Sequence, residues 1–217
     1  MVNADRIGGK AAGLARLVEL GFPVPPSIVL AVGEELADPH DVVTQLGEPL
    51  AVRSSALDED GSDRSAAGQY ETLLDVRASE LLDAVARVRS STARAEAYGA
   101  AGEVAVVIQT QVPATRAGVA FSRNPVTGGD EVVVECGLGG GDAIVSGRVT
   151  PDRYWISAGG VRARSAGSVR TLRDDEAEAI ADVARRAEAG WGRPVDVEFC
   201  FDARKLWLVQ CRPITTL

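Results

Sequence analysis

Lysine is almost missing from this 217-residue chain: Lys10 and Lys205 are the only two, against 31 acidic residues and a net charge of −8. Sequence-independent binding of nucleic acid needs clustered basic side chains to release counterions, so that class of partner is not expected. Cysteine is limited to Cys136, Cys200 and Cys211, each inside an apolar run and without CxxC spacing. That argues against a zinc site or a disulfide framework and predicts three reduced, buried packing residues. The N-terminus has no basic segment leading into an apolar core, and no apolar run reaches membrane-spanning length, so a cytoplasmic protein with no membrane partner is expected. The single histidine, His40, lies in a Pro-Asp context and reads as a surface residue.

What is present is ordinary for a folded protein: 46% hydrophobic and 25% charged residues, with no low-complexity tract and no internal repeat. At this length the chain can build two small lobes around one cleft. Apolar residues at helical spacing from Ile7 to Leu20 predict a helix opened by Gly8 and Gly9 and stopped by Gly21. The three prolines of 22–26 end it, and Ser27–Val32 reads as a buried strand. The polar stretch 33–48 has no assignment. Strands are expected at Leu50–Arg53 and Tyr70–Val76, separated by a long polar loop, and a helix with Ser79 as N-cap follows.

Beyond residue 100 the character changes to short β-branched runs at 104–112, 117–122, 131–136 and 153–157, the pattern of an antiparallel sheet. A second helix spans about Leu172 to Ala189, with acidic residues in its first turn, the stripe Ile180, Val183, Ala184 and Ala187, and Gly190 after its end. Strands at Val195–Phe201 and Leu206–Cys211 close the chain. The lobes are therefore placed at 1–100 and 101–217.

Three clusters have the residue types for phosphate chemistry. Gly8-Gly9-Lys10 at a helix start combines exposed amides, close backbone approach and a full charge, although it lacks Walker A spacing and also fits a plain glycine-rich cap. Arg53-Ser54-Ser55 ends a strand before a small-residue loop containing Ser65, Ala66, Ala67 and Gly68; an arginine for bidentate phosphate contact and a loop that closes over polyphosphate is one reading, a hairpin with a salt bridge the other. On the last two strands, Asp196 and Glu198 share one face, as do Gln210 and Arg212, and the short turn pairs the two sets. A carboxylate, an amide oxygen and an arginine there suit Mg²⁺ held against phosphate oxygens, or a cross-strand Glu and Arg ion pair.

Taken in order, GGKAAGLARLVELGFPVPP (8–26), AVRSSALDEDGSDRSAAGQYETLLDV (51–76), the 109–154 stretch with AGVAFSRNPVTG and SGRVTPDRY, and VDVEFCFDARKLWLVQCRPIT (195–215) resemble the ATP-binding domain of the pyruvate phosphate dikinase and phosphoenolpyruvate synthase family, which also includes rifampicin phosphotransferase. The resemblance implies an α+β ATP-grasp fold, two lobes clamping a nucleotide, in a compact version whose first lobe is shortened at 33–48. It implies Lys10 and Arg53 on phosphate, the 65–68 loop over the nucleotide, and Gln109 and Gln111 beside the adenine. Glu198 and Gln210 are the implied Mg²⁺ ligands and Arg212 the arginine at the terminal phosphates.

Family members split ATP to AMP and pass the β-phosphoryl group to a histidine on a swivelling carrier domain, which delivers it to pyruvate or another acceptor. The implied activity is thus an ATP-dependent phosphotransferase module that needs a separate carrier and acceptor domain. Two other readings stand beside it: a self-contained small-molecule kinase, and a non-catalytic nucleotide-binding regulator. The chain departs from the family after Gly137-Leu138, where Gly139-Gly140-Gly141-Asp142 stands in place of an acidic residue; either a metal or nucleotide contact is missing there, or Asp142 supplies it by a shift in register.

Overall fold

Val104, Ala105, Val106, Val107 and Ile108 are all buried, and a strand with no exposed edge or face must be paired on both sides. The computed structural model, which describes residues 6–57, 71–91, 104–141, 150–165 and 170–215, places this strand, β4 (Val104–Thr110), inside a four-stranded antiparallel sheet. The order is β1-β4-β2-β3, with β1 at Ser27–Leu30, β2 at Leu50–Ala56 and β3 at Thr72–Val76. The 104–112 strand, assigned by position along the chain to the second lobe, is thus the centre of the first sheet. Its partners are 48 or more residues earlier (Ala56 opposite Val104), a non-local pairing that local pattern does not report.

Two compact units result: residues Met1–Ala15 with Pro25–Gln111, and Arg16–Val24 with Val112–Leu217. In the first, Leu50 and Val52 of β2 and Val106 and Ile108 of β4 pack against two helices, α2 (Pro39–Leu46) and α3 (Leu81–Ser90), through Val42, Leu46, Leu81, Val85 and Val88. Helix α2 fills part of the stretch left unassigned. Asp38 caps it by accepting from the His40 amide at 2.8 Å, Pro39 stands at its first position, and Gly47 ends it. His40 is exposed. Ser79 is not an N-cap: it lies within a 3₁₀ turn, Ala78–Glu80, whose Ala78 amide donates to Glu48 Oε1 at 2.6 Å.

The first helix, α1 (Gly8–Glu19), follows the expected span closely. The second unit has a six-stranded antiparallel sheet ordered β10-β9-β5-β6-β7-β8: β5 Arg116–Phe121, β6 Val132–Leu138, β7 Asp152–Ser157, β8 Gly160–Ser165, β9 Val195–Phe201 and β10 Leu206–Pro213. Strand β8 was not legible because GVRARS is mostly exposed and its apolar alternation is limited to Val161 and Ala163. Helix α4 (Asp174–Trp191) lies on one face.

Ala177, Ile180, Ala181, Ala184 and Ala187 of α4 are buried, while Val183 is at the margin of the stripe. The helix runs two residues past its expected end. Gly190 is inside it, where a Cβ would stand 2.5 Å from the Leu20 side chain, and the left-handed residue that stops it is Gly192, at φ 71. All three cysteines are buried and reduced, and burial pushes the Cys136 thiol up to about 11. Among the described residues no helix is long and apolar enough to cross a membrane.

Candidate functional site

In the first unit, the start of α1 meets the end of β2. Gly8 has φ 72 and lies so close to β2 that a Cβ would stand 2.3 Å from the Ser55 carbonyl oxygen, a position only glycine can occupy. Three residues on, the Ala11 amide donates to Ser55 Oγ at 3.0 Å. One of the orphan amides of the helix start is therefore already satisfied by protein, so the expected cradle of open N–H groups is partly closed. Lys10 lies between these two contacts and is half-buried. Arg53 is two residues before Ser55 on β2 and so shares its face. The structure thus brings together the elements that carry Lys10 and Arg53. The expected loop residues Ser65, Ala66, Ala67 and Gly68, and Asp142 with them, lie outside the described residues.

Gln109 and Gln111 end up with different surroundings. Gln109 is buried on β4, opposite Ser27 and Ala51, and its Nε2 donates to the Pro25 carbonyl at 3.5 Å. Gln111 is held by Asp75: its Oε1 accepts from the Asp75 amide at 2.6 Å, and its Nε2 donates to Asp75 Oδ1 at 2.8 Å. Asp75 has φ 58, a backbone state that costs energy for a residue other than glycine, and the two bonds from Gln111 stabilise it.

In the second unit, β9 turns Val195, Val197 and Phe199 into the core under α4 and leaves Asp196, Glu198 and Cys200 on the other face. Unbroken alternation along β10 would put Leu206, Leu208, Gln210 and Arg212 together on the core face. A register shift between Leu208 and Gln210 prevents this. With Val209 as the extra residue, Leu208 stays opposite Phe199 in the core, while Gln210 lies opposite Glu198 and Arg212 opposite Asp196.

The two pairs differ in chemistry. Arg212 Nε donates to both carboxylate oxygens of Asp196, at 3.2 and 3.0 Å, so the cross-strand ion pair is made with Asp196 and not with Glu198. Asp196 is buried and orients the guanidinium of an Arg212 side chain that is 43% exposed. Glu198 is half-buried and Gln210 buried, and no hydrogen bond or ion pair engages either side chain among the described residues. A carboxylate and an amide oxygen face to face, both unclaimed, are hard oxygen donors of the kind magnesium takes. Among the described residues no three His, Cys, Asp or Glu side chains cluster as a metal cage. A cation here would therefore draw further ligands from a bound molecule, as magnesium does when carried by phosphates.

Other charges of this unit brace the fold. Arg116 on β5 donates to both oxygens of Glu176 on α4, at 3.0 and 3.1 Å, and to the Thr171 carbonyl at 2.8 Å. The Arg116 hydrogen bond, opposed by burial, holds the Glu176 carboxyl below its usual range. Glu135 on β6 and Arg153 on β7 are ion-paired at directly opposed positions. Asp152, fully buried, accepts from the Thr171 amide at 2.7 Å and from Tyr154 Oη at 3.2 Å. Sequence reasoning names Ser55 beside Arg53 but gives it no role of its own, and expects the strand to end at Arg53; β2 instead runs on to Ala56, which puts Ser55 on the face of Arg53.

The family described as pyruvate phosphate dikinase, AMP/ATP-binding domain, matches residues 30–168 and 158–217. A probable phosphoenolpyruvate synthase of Methanothermobacter thermautotrophicus is 30% identical over 300 aligned positions, covering 97% of this chain and 44% of that protein. A rifampicin phosphotransferase of Streptomyces sp is 35% identical over 252 positions, covering 99% of this chain and 28% of that protein. The chain therefore spans less than half the length of these relatives. Each alignment is also longer than the chain's 217 residues, so the relatives carry residues inside the matched stretch that this chain lacks. Among solved structures, the dinucleotide-forming acetyl-coenzyme A synthetase 1 of Ca. Korarchaeum cryptofilum superposes with a TM-score of 0.55 at 16% identity, over 93% of this chain and 90% of that one. At that identity the likeness speaks for fold alone, and the fold is the α+β ATP-grasp.

Proposed function

The chain belongs to the pyruvate phosphate dikinase AMP/ATP-binding domain family, and from that premise we propose that it is the phosphoryl-donating module of a dikinase. It binds Mg-ATP and passes a phosphoryl group, the β-phosphoryl with release of AMP, to a histidine on a separate carrier domain, which serves pyruvate or another acceptor. The observation that carries this reading is the register of β9 and β10. Glu198 and Gln210 stand opposite one another on the face away from the core, next to an arginine already oriented by Asp196.

In this reading Glu198 and Gln210 hold magnesium, which when bound neutralises phosphate charge and draws electron density from the bond being broken. Lys10 and Arg53 contact phosphate oxygens, the first from a helix start and the second from the middle of β2. Arg212, its guanidinium plane fixed by Asp196, supports the terminal phosphates. Gln109 borders the adenine. Gln111 reaches it only by giving up Asp75, so its part in binding is the weaker of the two. Catalysis of this kind depends on placing charge rather than on a nucleophile supplied by the chain. The acceptor histidine comes from elsewhere, since His40 is exposed on α2, in a cap held by Asp38. Buried, reduced cysteines accord with a cytoplasmic setting.

The test is to incubate the protein with Mg²⁺ and ATP labelled at the β or the γ position, with and without a phosphohistidine carrier domain from a matched relative. AMP formation and β-label on the carrier, both dependent on that partner, are expected. ADP formation without the partner would replace this reading with a self-contained kinase. Saturable ATP binding with no turnover under either condition would leave a nucleotide-binding regulator.

A further inference from the structure

Two contacts tie the first turn of α1 to the end of β2, and both run through one residue. Ser55 Oγ accepts from the Ala11 amide at 3.0 Å, and the Ser55 carbonyl oxygen is where a Cβ on Gly8 would collide, 2.3 Å away. Ser55 is fully buried. Gly9 and Lys10 are the residues between the two contact points, and Arg53 is the next residue on Ser55's own face of β2. We infer that Ser55 is a positioning residue that sets the Lys10 backbone against Arg53, so that the two cations present one phosphate-gripping pair. The inference rests on the proposed Mg-ATP binding.

The physical basis is the difference between two side-chain types. Lysine and arginine are long and lose much rotamer freedom when they hold a ligand, so their grip depends on how well their backbones are fixed beforehand. A hydroxyl that accepts from a helix amide in a dry site fixes one backbone against the other directly. The glycine at position 8 lets the two elements approach closely enough for that bond to form, and its positive φ starts the helix at the required angle. Ser55 needs no contact with ligand to act. It acts through Lys10.

A double-mutant cycle separates positioning from general support of the fold. Mg-ATP affinity is measured by calorimetry for the wild-type protein, Ser55→Ala, Lys10→Ala and the double variant. Ser55→Ala is expected to weaken binding about tenfold, the value of one buried hydrogen bond. In the Lys10→Ala background the same change is expected to cost less than about twofold, because the group it positions is gone. If Ser55→Ala lowers the folded fraction, the nearly isosteric Ser55→Cys, a weak acceptor, carries the same cycle, and Ser55→Thr is expected to restore affinity by returning the hydroxyl. Binding within twofold of wild type for Ser55→Ala, or an equal tenfold loss in both backgrounds, overturns the inference while Mg-ATP binding stands. No binding by the wild-type protein overturns both.

Discussion

Replacing Glu198 with glutamine should separate ligand binding from folding. The substitution keeps the size and one oxygen of the side chain and removes only its charge. Because no hydrogen bond or ion pair holds Glu198 among the described residues, stability should change by no more than about 0.5 kcal/mol, or about 2 °C in Tm for a chain of this size. If Glu198 holds magnesium against the nucleotide, the variant loses a charge-assisted contact worth about 2–3 kcal/mol, a rise in Kd for Mg-ATP of about 30- to 150-fold. The sign reverses without metal, because Glu198 is then a like charge beside the phosphates. ATP in EDTA should bind the variant as well as, or better than, the wild type. Calorimetry in Mg²⁺ and in EDTA, with thermal unfolding alongside, reads all three effects. An equal loss of affinity in both buffers, or a fall in Tm beyond about 5 °C, would show that Glu198 supports the fold, and an unchanged Mg-ATP affinity would remove it from the site.

Its neighbours should behave differently. Arg212→Met leaves the buried Asp196 carboxylate without its guanidinium; because the arginine side chain is 43% exposed, the cost is about 2 kcal/mol, less than for a fully buried pair, and Tm should fall about 4–8 °C, with Asp196→Asn in the same chain recovering most of it. Gly118→Ala puts a Cβ 2.0 Å from the Glu135 carbonyl oxygen and 2.6 Å from the Phe199 ring, so urea unfolding should show a loss of about 3 kcal/mol or more. Glu176, drawn below its usual range by Arg116 against the opposing effect of burial, contributes stability that is complete above the ordinary carboxylate value of about 4.3 and is lost as pH falls through the lower folded-state value. The stability gap between wild type and Glu176→Gln should therefore hold steady from about pH 6 to 8 and close on acidification below about pH 4, as followed by urea unfolding across pH.

Local patterns reported much of this fold. The β9 and β10 spans and the opposition of Asp196 and Glu198 to Arg212 and Gln210 were legible because the two strands are joined by a four-residue turn, Asp202 to Lys205, and pair locally. Helix α4 was legible from its stripe, yet its end was not: Gly190 looks like a stop and is a packing residue beneath Leu20, while Gly192 makes the left-handed turn. The place of β4 was hidden, since nothing in Val104–Thr110 indicates that its partners are Ser27–Leu30 and Leu50–Ala56. The shift at Val209 was also hidden. Period two predicts a shared face for Gln210 and Arg212, but only the extra residue keeps that face away from Leu208 and the core.

For the site, residue types were readable and their present engagements were not. Gln111 has an amide suited to a purine edge, yet its bonds to Asp75 satisfy a backbone at φ 58 that the sequence does not announce. The amides at the start of α1 looked open to an anion, and Ser55, 44 residues away from Ala11, takes one of them. Such long-range satisfaction of a polar group is set by tertiary packing, which spacing along the chain does not encode.

Whether Lys10 and Glu198 hold Mg-ATP is decided by titrating the wild-type protein with Mg-ATP and repeating the titration with Lys10→Ala and with Glu198→Gln. Saturable one-to-one binding by the wild type is expected, with a loss of at least about tenfold in each variant and both variants still folded. No binding by the wild type, or wild-type affinity in both variants, would contradict it.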